Sequence, residues 1–497
     1  MSSKLLLGYD IGSSSVKASV IDAETGIMVA SAGSPETEMK IDAPKMGWAE
    51  QNPELWWKHL SIATKKIIDS NKIDPKNIEA IGISYQMHGL VVVDKDQKVL
   101  HPSIIWCDSR AVEIGNNAFN EMGAEFCLEN YLNSPGNFTA SKLKWVKENK
   151  PEVFEQIYKF MLPGDYIAMK LTGEICTTVS GLSEGVLWDF KKNTTANDLL
   201  NHYGLSNNLI PKIVPTFGDQ GTLLQSTADE LGLKAGIKIA YRAGDQPNNA
   251  FSLNVLNPGE VATTAGTSGV VYGVTELDNY DSESRVNSFA HVNYSDEKRN
   301  KGVLLCINGT GILNSWIRNE MLNGGISYND MNKIASEAPI GSENLITLPF
   351  GNGAERSLSN KEVQANIFGL NFNRHSKAHM LRSAQEGIVF AFKYGMEIME
   401  AMGLKMDIVR AGKANMFLSP LFREAFVNTS EATLELYNTD GSEGAARGAG
   451  IGAGIYNSAD EAFDGLKKLE HEEPVSEKVE QYAEAYLAWK EKLNFLL

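Results

Sequence analysis

The sequence predicts a two-domain protein of mixed α/β class from three observations: its length, an alternation of apolar strands with amphipathic helices, and one strand–turn–strand scheme that occurs twice. At 497 residues the chain exceeds the ~100 to 200 residues that one domain usually holds. Its composition, 43% hydrophobic and 22% charged, is that of a globular protein able to bury a large core.

Residues 4 to 10, K-L-L-L-G-Y-D, read as a buried strand ending at an acid, and Val16, Ala18 and Val20 alternate with polar residues as the returning strand. Asn52 and Pro53 form a helix cap and first helical position, followed by Leu55, Trp56, Leu60, Ala63 and Ile67 at helical spacing. Ile78, Ile81 and Ile83 give a strand running into Q-M-H-G, and Val91 to Val93 a further strand. The run I-K-I-A-Y gives another, ending at R-A-G-D-Q-P. There the scheme restarts: Val261, then T-T-A-G-T-S-G-V-V-Y-G-V, repeats the opening strand, turn and strand. Domains 1–243 and 244–497 are expected. Ile388 to Met399 mark a long helix, and Ser476 to Leu497 a charged amphipathic one.

The formal charge of −16 disfavours extended contact with nucleic acid or an anionic membrane. It leaves nucleotide binding open, because a few local donors hold a phosphate. Cys107, Cys127, Cys176 and Cys306 form no C-x-x-C pair, so neither a disulfide framework nor a zinc site is expected, and a cytoplasmic location is. The opening M-S-S-K and the short apolar run Leu5 to Leu7 do not form a signal peptide, and no window is long enough for a membrane span.

Six segments are candidates for chemistry. Asp10 with Gly12, Ser13, Ser14, Ser15 and Lys17 supplies a carboxylate and several donors, as a phosphate with Mg²⁺ requires, without being a Walker A loop. Gly266-Thr267-Ser268-Gly269 is the matching turn of the second half. Asp245 in A-G-D-Q-P is placed either to cap a helix or to accept a proton from an attacking hydroxyl, and both readings can hold. Gln86-Met87-His88-Gly89 lies between two strands, where Gly89 allows close approach of a small polyol and where a lone His is more often interior. Gly412 with Asn415, and Gly444-Ala445-Ala446, offer a flat wall for a base or a helix packing surface. H-S-K-A-H at His375 and His379 lacks the acid of a zinc helix.

Taken in order, D-I-G-S-S-S-V-K, G-W-A-E-Q-N-P-E-L-W-W, Y-Q-M-H-G-L-V-V-V-D, W-C-D-S-R, L-P-G-D-Y, A-G-D-Q, T-A-G-T-S-G and S-A-Q-E-G-I resemble the FGGY carbohydrate kinases across nearly the whole chain. Within that family, Q-M-H-G and W-x-D-x-R resemble the xylulokinase branch. The resemblance implies an actin-like, ribonuclease H-type fold with a deep cleft between two domains, and ATP- and Mg²⁺-dependent transfer to the 5-hydroxyl of D-xylulose. By position it implies Asp245 as catalytic base and Asp10 and Asp245 near Mg²⁺. Gln86, Met87, His88, Asp245 and Gln246 are implied on the sugar. Gly12, Ser13, Ser14, Lys17, Gly266, Thr267, Gly311, Ser315, Gly412 and Asn415 are implied on the nucleotide. Other acceptors within the family are ribulose, rhamnulose and gluconate, and outside it stands a non-sugar actin-like ATPase. A homodimer is left open. Two departures matter: R-A-G-K-A-N replaces the usual G-G-G-A-K-S, and Gln246 stands where many relatives have Asn.

Overall fold

The computed structural model describes residues 4–70 and 72–497; Met1 to Ser3 of the amino-terminal reading, and Asn71, lie outside the described residues. The chain divides into two compact units. The first takes the segment up to Leu256, Phe289–Lys301 and Thr439–Leu466, and the second takes Asn257–Ser288, Gly302–Asn438 and Lys467–Leu497.

The first unit is built on a five-stranded sheet of β1 (Leu5–Ile11), β2 (Val16–Asp22), β3 (Met28–Ser34), β4 (Ile78–Tyr85) and β5 (Lys238–Gly244), in the order β5-β4-β1-β2-β3. The hairpin β1–β2 is antiparallel, with Asp10 opposite Lys17. β4 runs parallel to β1 and to β5, with Asp10 opposite Ser84 and Gly244 opposite Tyr85. Three chain segments therefore end side by side at one edge: Asp10 on β1, Gln86 after β4 and Asp245 after β5. Parallel strands place ligands at their carboxyl ends for this reason.

One face of the sheet is covered by the helix Pro53–Asp69, whose cap Asn52 accepts the Glu54 N–H and whose first position is Pro53, as the sequence predicts. Trp56, Leu60, Ala63 and Ile67 are buried there. The other face is covered by the helix Gly441–Gly452. Ala445, Ala446 and Ala449 are fully buried, and a Cβ on Gly8 or Gly82 would come within 1.9 Å of this helix's backbone. Packing is thus the role of Gly444-Ala445-Ala446. That close fit draws Thr439–Leu466 into the first unit, so the division differs from a single cut after residue 243.

The second unit repeats the scheme. Its sheet comprises β6 (Glu260–Ala265), β7 (Gly269–Thr275), β8 (Asn287–Ala290), β9 (Lys301–Ile307), β10 (Ile408–Gly412), β11 (Thr433–Tyr437) and β12 (Lys468–Glu472), ordered β8-β9-β7-β6-β10-β11-β12. The hairpin β6–β7 is again antiparallel, and β10 runs parallel to β6. The helices Lys377–Ala401 and Ser476–Leu496 complete this core, with Phe390 against Trp489 and Tyr486. Among the described residues no helix is long and apolar enough to cross a membrane, and all four cysteines are free thiols.

Candidate active site

In the first unit, a cavity of about 350 Å³ is lined by Asp10, Gly12, Ser13, Ser14, Ser15, Lys17, Gln86, Trp106 and Asp245. The loop between β1 and β2 is held in shape by its own backbone, Gly12 N–H donating to Ser15 O at 3.0 Å. Gln51 Nε2 donates to Ser13 O at 2.7 Å, and Trp106 Nε1 reaches Ser13 Oγ at 3.3 Å. Ser84 Oγ donates to Asp10 Oδ1 at 2.9 Å.

Both acids of this cavity are held above their usual range. Burial pushes Asp10 upward, with the Asp440 carboxylate adding to it and Ser84 and Lys17 opposing. Burial, then the charge of Asp10, pushes Asp245 up to about 7, against hydrogen bonds from the backbone and side chain of Gln246. Asp245 is the first residue of the helix Asp245–Ser252, which is capped by Gly244 with no side-chain bond. Gly244 holds the cap position, so Asp245 stands one residue further into the helix than expected, and its carboxyl accepts the first-turn N–H of Gln246 while also lining the cavity.

Gln86 is 2% exposed, and neither its Oε1 nor its Nε2 finds a hydrogen-bond partner among the described residues. An amide buried with both ends unfilled costs ~1–3 kcal/mol per group, and a ligand that both donates and accepts satisfies it. Met87 and His88 do not line this cavity. Met87 is buried at 4% exposure, and His88 is half-buried between the rings of Phe138 and Phe289 at 4.8 and 5.3 Å. Gln246 also lies off the wall, turned to Asp245.

Asp440 is a member of this cluster that the motifs missed. It pairs with Lys17, so that ammonium is engaged within the protein. Burial works to raise Asp440, but the bonds from Lys17 and Ser442 outweigh it and hold the carboxyl below its usual range. Asp440 also caps the helix Gly441–Gly452 through Ser442 and Glu443. D-G-S-E just before a small-residue helix is the N-cap pattern that marks it.

In the second unit, a cavity of about 450 Å³ gathers Gly266, Thr267, Gly311, Ser315 and Asn415, with Tyr328, Asn332 and Ser419. Gly311 N–H donates to Gly266 O and Ile312 N–H to Thr267 O, at 2.9 and 3.1 Å, which fixes the turn against the helix Gly311–Trp316. Gly412 lies off this wall at the end of β10. Arg410, the first departure from the family's glycines, is also absent from the wall. Its guanidinium lies across the neighbouring strands, 3.2 Å from Glu435 and 3.5 Å from Glu260. His375 and His379 accept the N–H groups of Asn371 and Ser376, and no group of three or more His, Cys, Asp or Glu placed to hold a metal ion occurs among the described residues.

Known proteins match this architecture along its length. Residues 5–252 match the N-terminal domain of the FGGY family of carbohydrate kinases, and residues 261–412 match its C-terminal domain. A xylulose kinase of Escherichia coli is 29% identical over 449 residues, covering 90% of this chain and 88% of the relative. The structure of a ligand-bound xylulose kinase from Lactobacillus acidophilus superposes with a TM-score of 0.89 at 24% identity, over 99% of this chain and 98% of the other. A gluconate kinase from Lactobacillus acidophilus gives the same TM-score of 0.89 at 24% identity, over 100% and 98%. At that distance the likeness is one of fold, and the fold does not choose between a ketose and a sugar acid.

Proposed function

The chain belongs to the FGGY family of carbohydrate kinases, a phosphotransferase family with a two-domain actin-like fold, and we propose that its acceptor is D-xylulose, phosphorylated on the 5-hydroxyl with Asp245 as base. The observation that carries this reading is the convergence of Asp245, Asp10 and the unpartnered amide of Gln86 on one cavity. The amide holds sugar hydroxyls, and the carboxylate beside it accepts the proton of the attacking one. A base held near pH 7 suits that task, because its conjugate acid and base are both accessible at neutral pH. The xylulose kinases among the relatives, at 29% identity and below, favour a ketose.

ATP is assigned to the second unit's cavity through Gly266, Thr267, Gly311, Ser315 and Asn415, and in the first unit the Gly12–Ser14 loop carries N–H and hydroxyl groups of the kind that hold a phosphate. The Mg²⁺ that sugar kinases use fits the residues present. Asp10 and Asp245 face one cavity, where the charge of Asp10 helps to raise Asp245, and Mg²⁺ is commonly held by one or two carboxylates plus phosphate oxygens and water. When bound, the ion neutralises charge on the transferred phosphoryl group. Asp10 and Asp245 would hold it, while Lys17 stays paired with Asp440. The in-line approach is fixed by the residues that grip the sugar, and this positioning supplies most of the rate.

The test is ADP release with a panel of xylulose, ribulose, rhamnulose, glycerol and gluconate. The expected result is the highest kcat/KM for xylulose. Preference for gluconate would move the acceptor to a sugar acid, and ATP turnover indifferent to every sugar would remove the kinase assignment.

A further inference from the structure

Two polar residues on the wall of the second unit's cavity, Asn332 and Ser419, are joined by a side chain that is not itself on the wall. Gln385, in the helix Lys377–Ala401, is 1% exposed. Its Nε2 donates to Asn332 Oδ1 at 2.9 Å, and its Oε1 accepts from Ser419 Oγ at 2.9 Å. Asn332 belongs to the helix Tyr328–Ala335. Ser419 caps the helix Pro420–Ser430, where its Oγ accepts the Phe422 N–H at 3.2 Å.

Packing does not require this amide. Met331, Ala335, Leu381, Ala384 and Leu421 already join the same helices as one apolar cluster, and an apolar side chain at position 385 would extend it without burying polar atoms. What the amide adds is direction. The Phe422 backbone N–H can only donate, and the Ser419 hydroxyl that accepts it passes its own proton to Gln385 Oε1. Nε2 is thereby turned toward Asn332 Oδ1, and the end of Asn332 left for the cavity is Nδ2, which only donates. An asparagine with no such neighbour presents either end, because its last torsion is broad and two-fold, and a ligand must then order it at a cost in affinity. Held this way, Asn332 meets an acceptor, as the ring nitrogens of adenine are.

We propose that Gln385 is a positioning residue for the nucleotide: it holds the Asn332 amide with its donor end in the cavity, so that the base meets a fixed N–H group. This rests on the assignment of ATP to that cavity. Gln385→Met, of similar length without the amide, should raise KM for ATP and the Kd of ADP measured by calorimetry about five- to tenfold, the worth of one positioned hydrogen bond. KM for the preferred sugar should stay within twofold. In an Asn332→Ala background the same substitution should add less than twofold, because its route to the ligand is gone. Asn332→Asp keeps an acceptor for Gln385 Nε2 and loses the donor, so it should weaken ADP at least as much as Asn332→Ala. Equal rises in both KM values, full additivity with Asn332→Ala, or wild-type ADP affinity in Asn332→Asp would overturn the proposal. If Gln385→Met does not fold, Gln385→Glu, which still accepts from Ser419 and has no donor for Asn332, takes its place in the same cycle. If Gly311→Ala leaves ADP affinity unchanged, the cavity assignment itself fails. If Gly311→Ala weakens ADP and Gln385→Met does not, only the role of Gln385 fails.

Discussion

The cavities of the two units occupy equivalent places in one scheme and are lined with opposite chemistry. Each opens where the first strand of an antiparallel hairpin gives way to a turn of glycine and hydroxyl residues, Gly12–Ser15 in one and Gly266–Ser268 in the other. The first carries Asp10, Lys17 and Asp245 on its wall, whereas no charged residue lines the second. Glycine turns can approach any phosphate, so the turns alone do not divide the labour. The strand ends do. In the first unit the three converging segments finish in Asp, Gln and Asp, which suits proton transfer to a polyol. In the second the corresponding wall is backbone, hydroxyl and amide, which suits the uncharged base and ribose of a nucleotide.

That contrast can be broken in graded ways. The largest expected effect is Asp245→Asn, which should bind sugar and ATP and turn over ~10²- to 10⁴-fold more slowly, the usual cost of a lost general base; near-normal turnover in a steady-state assay would end its role. Gln86→Leu should raise KM for the sugar roughly 10- to 100-fold, the ~1–3 kcal/mol of its amide bonds, as read in sugar titrations at saturating ATP. The pH profile sharpens the difference. Asp245 must be deprotonated to act and its pKa is raised to about 7, so kcat/KM for sugar should fall about tenfold per unit as pH drops below that value. Nucleotide affinity measured by calorimetry over the same range should be less affected, because no carboxyl lines the second cavity. The smallest effect is Gly311→Ala. Its Cβ would stand 2.3 Å from Gly266 O, and the shift this forces should raise KM for ATP about fivefold, the low end of ~1–3 kcal/mol for overpacking.

Local pattern made the strands, the Asn52-Pro53 helix start and both hairpin turns legible, because each is written in neighbouring residues. The repeat of D-I-G-S-S-S-V-K as T-A-G-T-S-G-V-V is matched by two hairpins, each beside a parallel strand. The assignment of Thr439–Leu466 to the first unit was not legible: it depends on glycines at positions 8 and 82 admitting a helix more than 350 residues away in sequence. Asp440 and Gln385 escaped for the same reason. Their partners Lys17, Asn332 and Ser419 lie elsewhere in the chain; D-G-S-E marks Asp440 only as a helix cap, and nothing local to the buried Gln385 names what its amide meets. Asp245 read locally as a cap and is instead the first helical residue, because Gly244 takes the cap position.

The division of labour is tested most directly by measuring KM for the sugar and for ATP in Gln86→Leu and Gly311→Ala side by side. The account predicts a crossed pattern, with the first variant raising only the sugar value and the second only the ATP value. Two variants that shift both values together would contradict it.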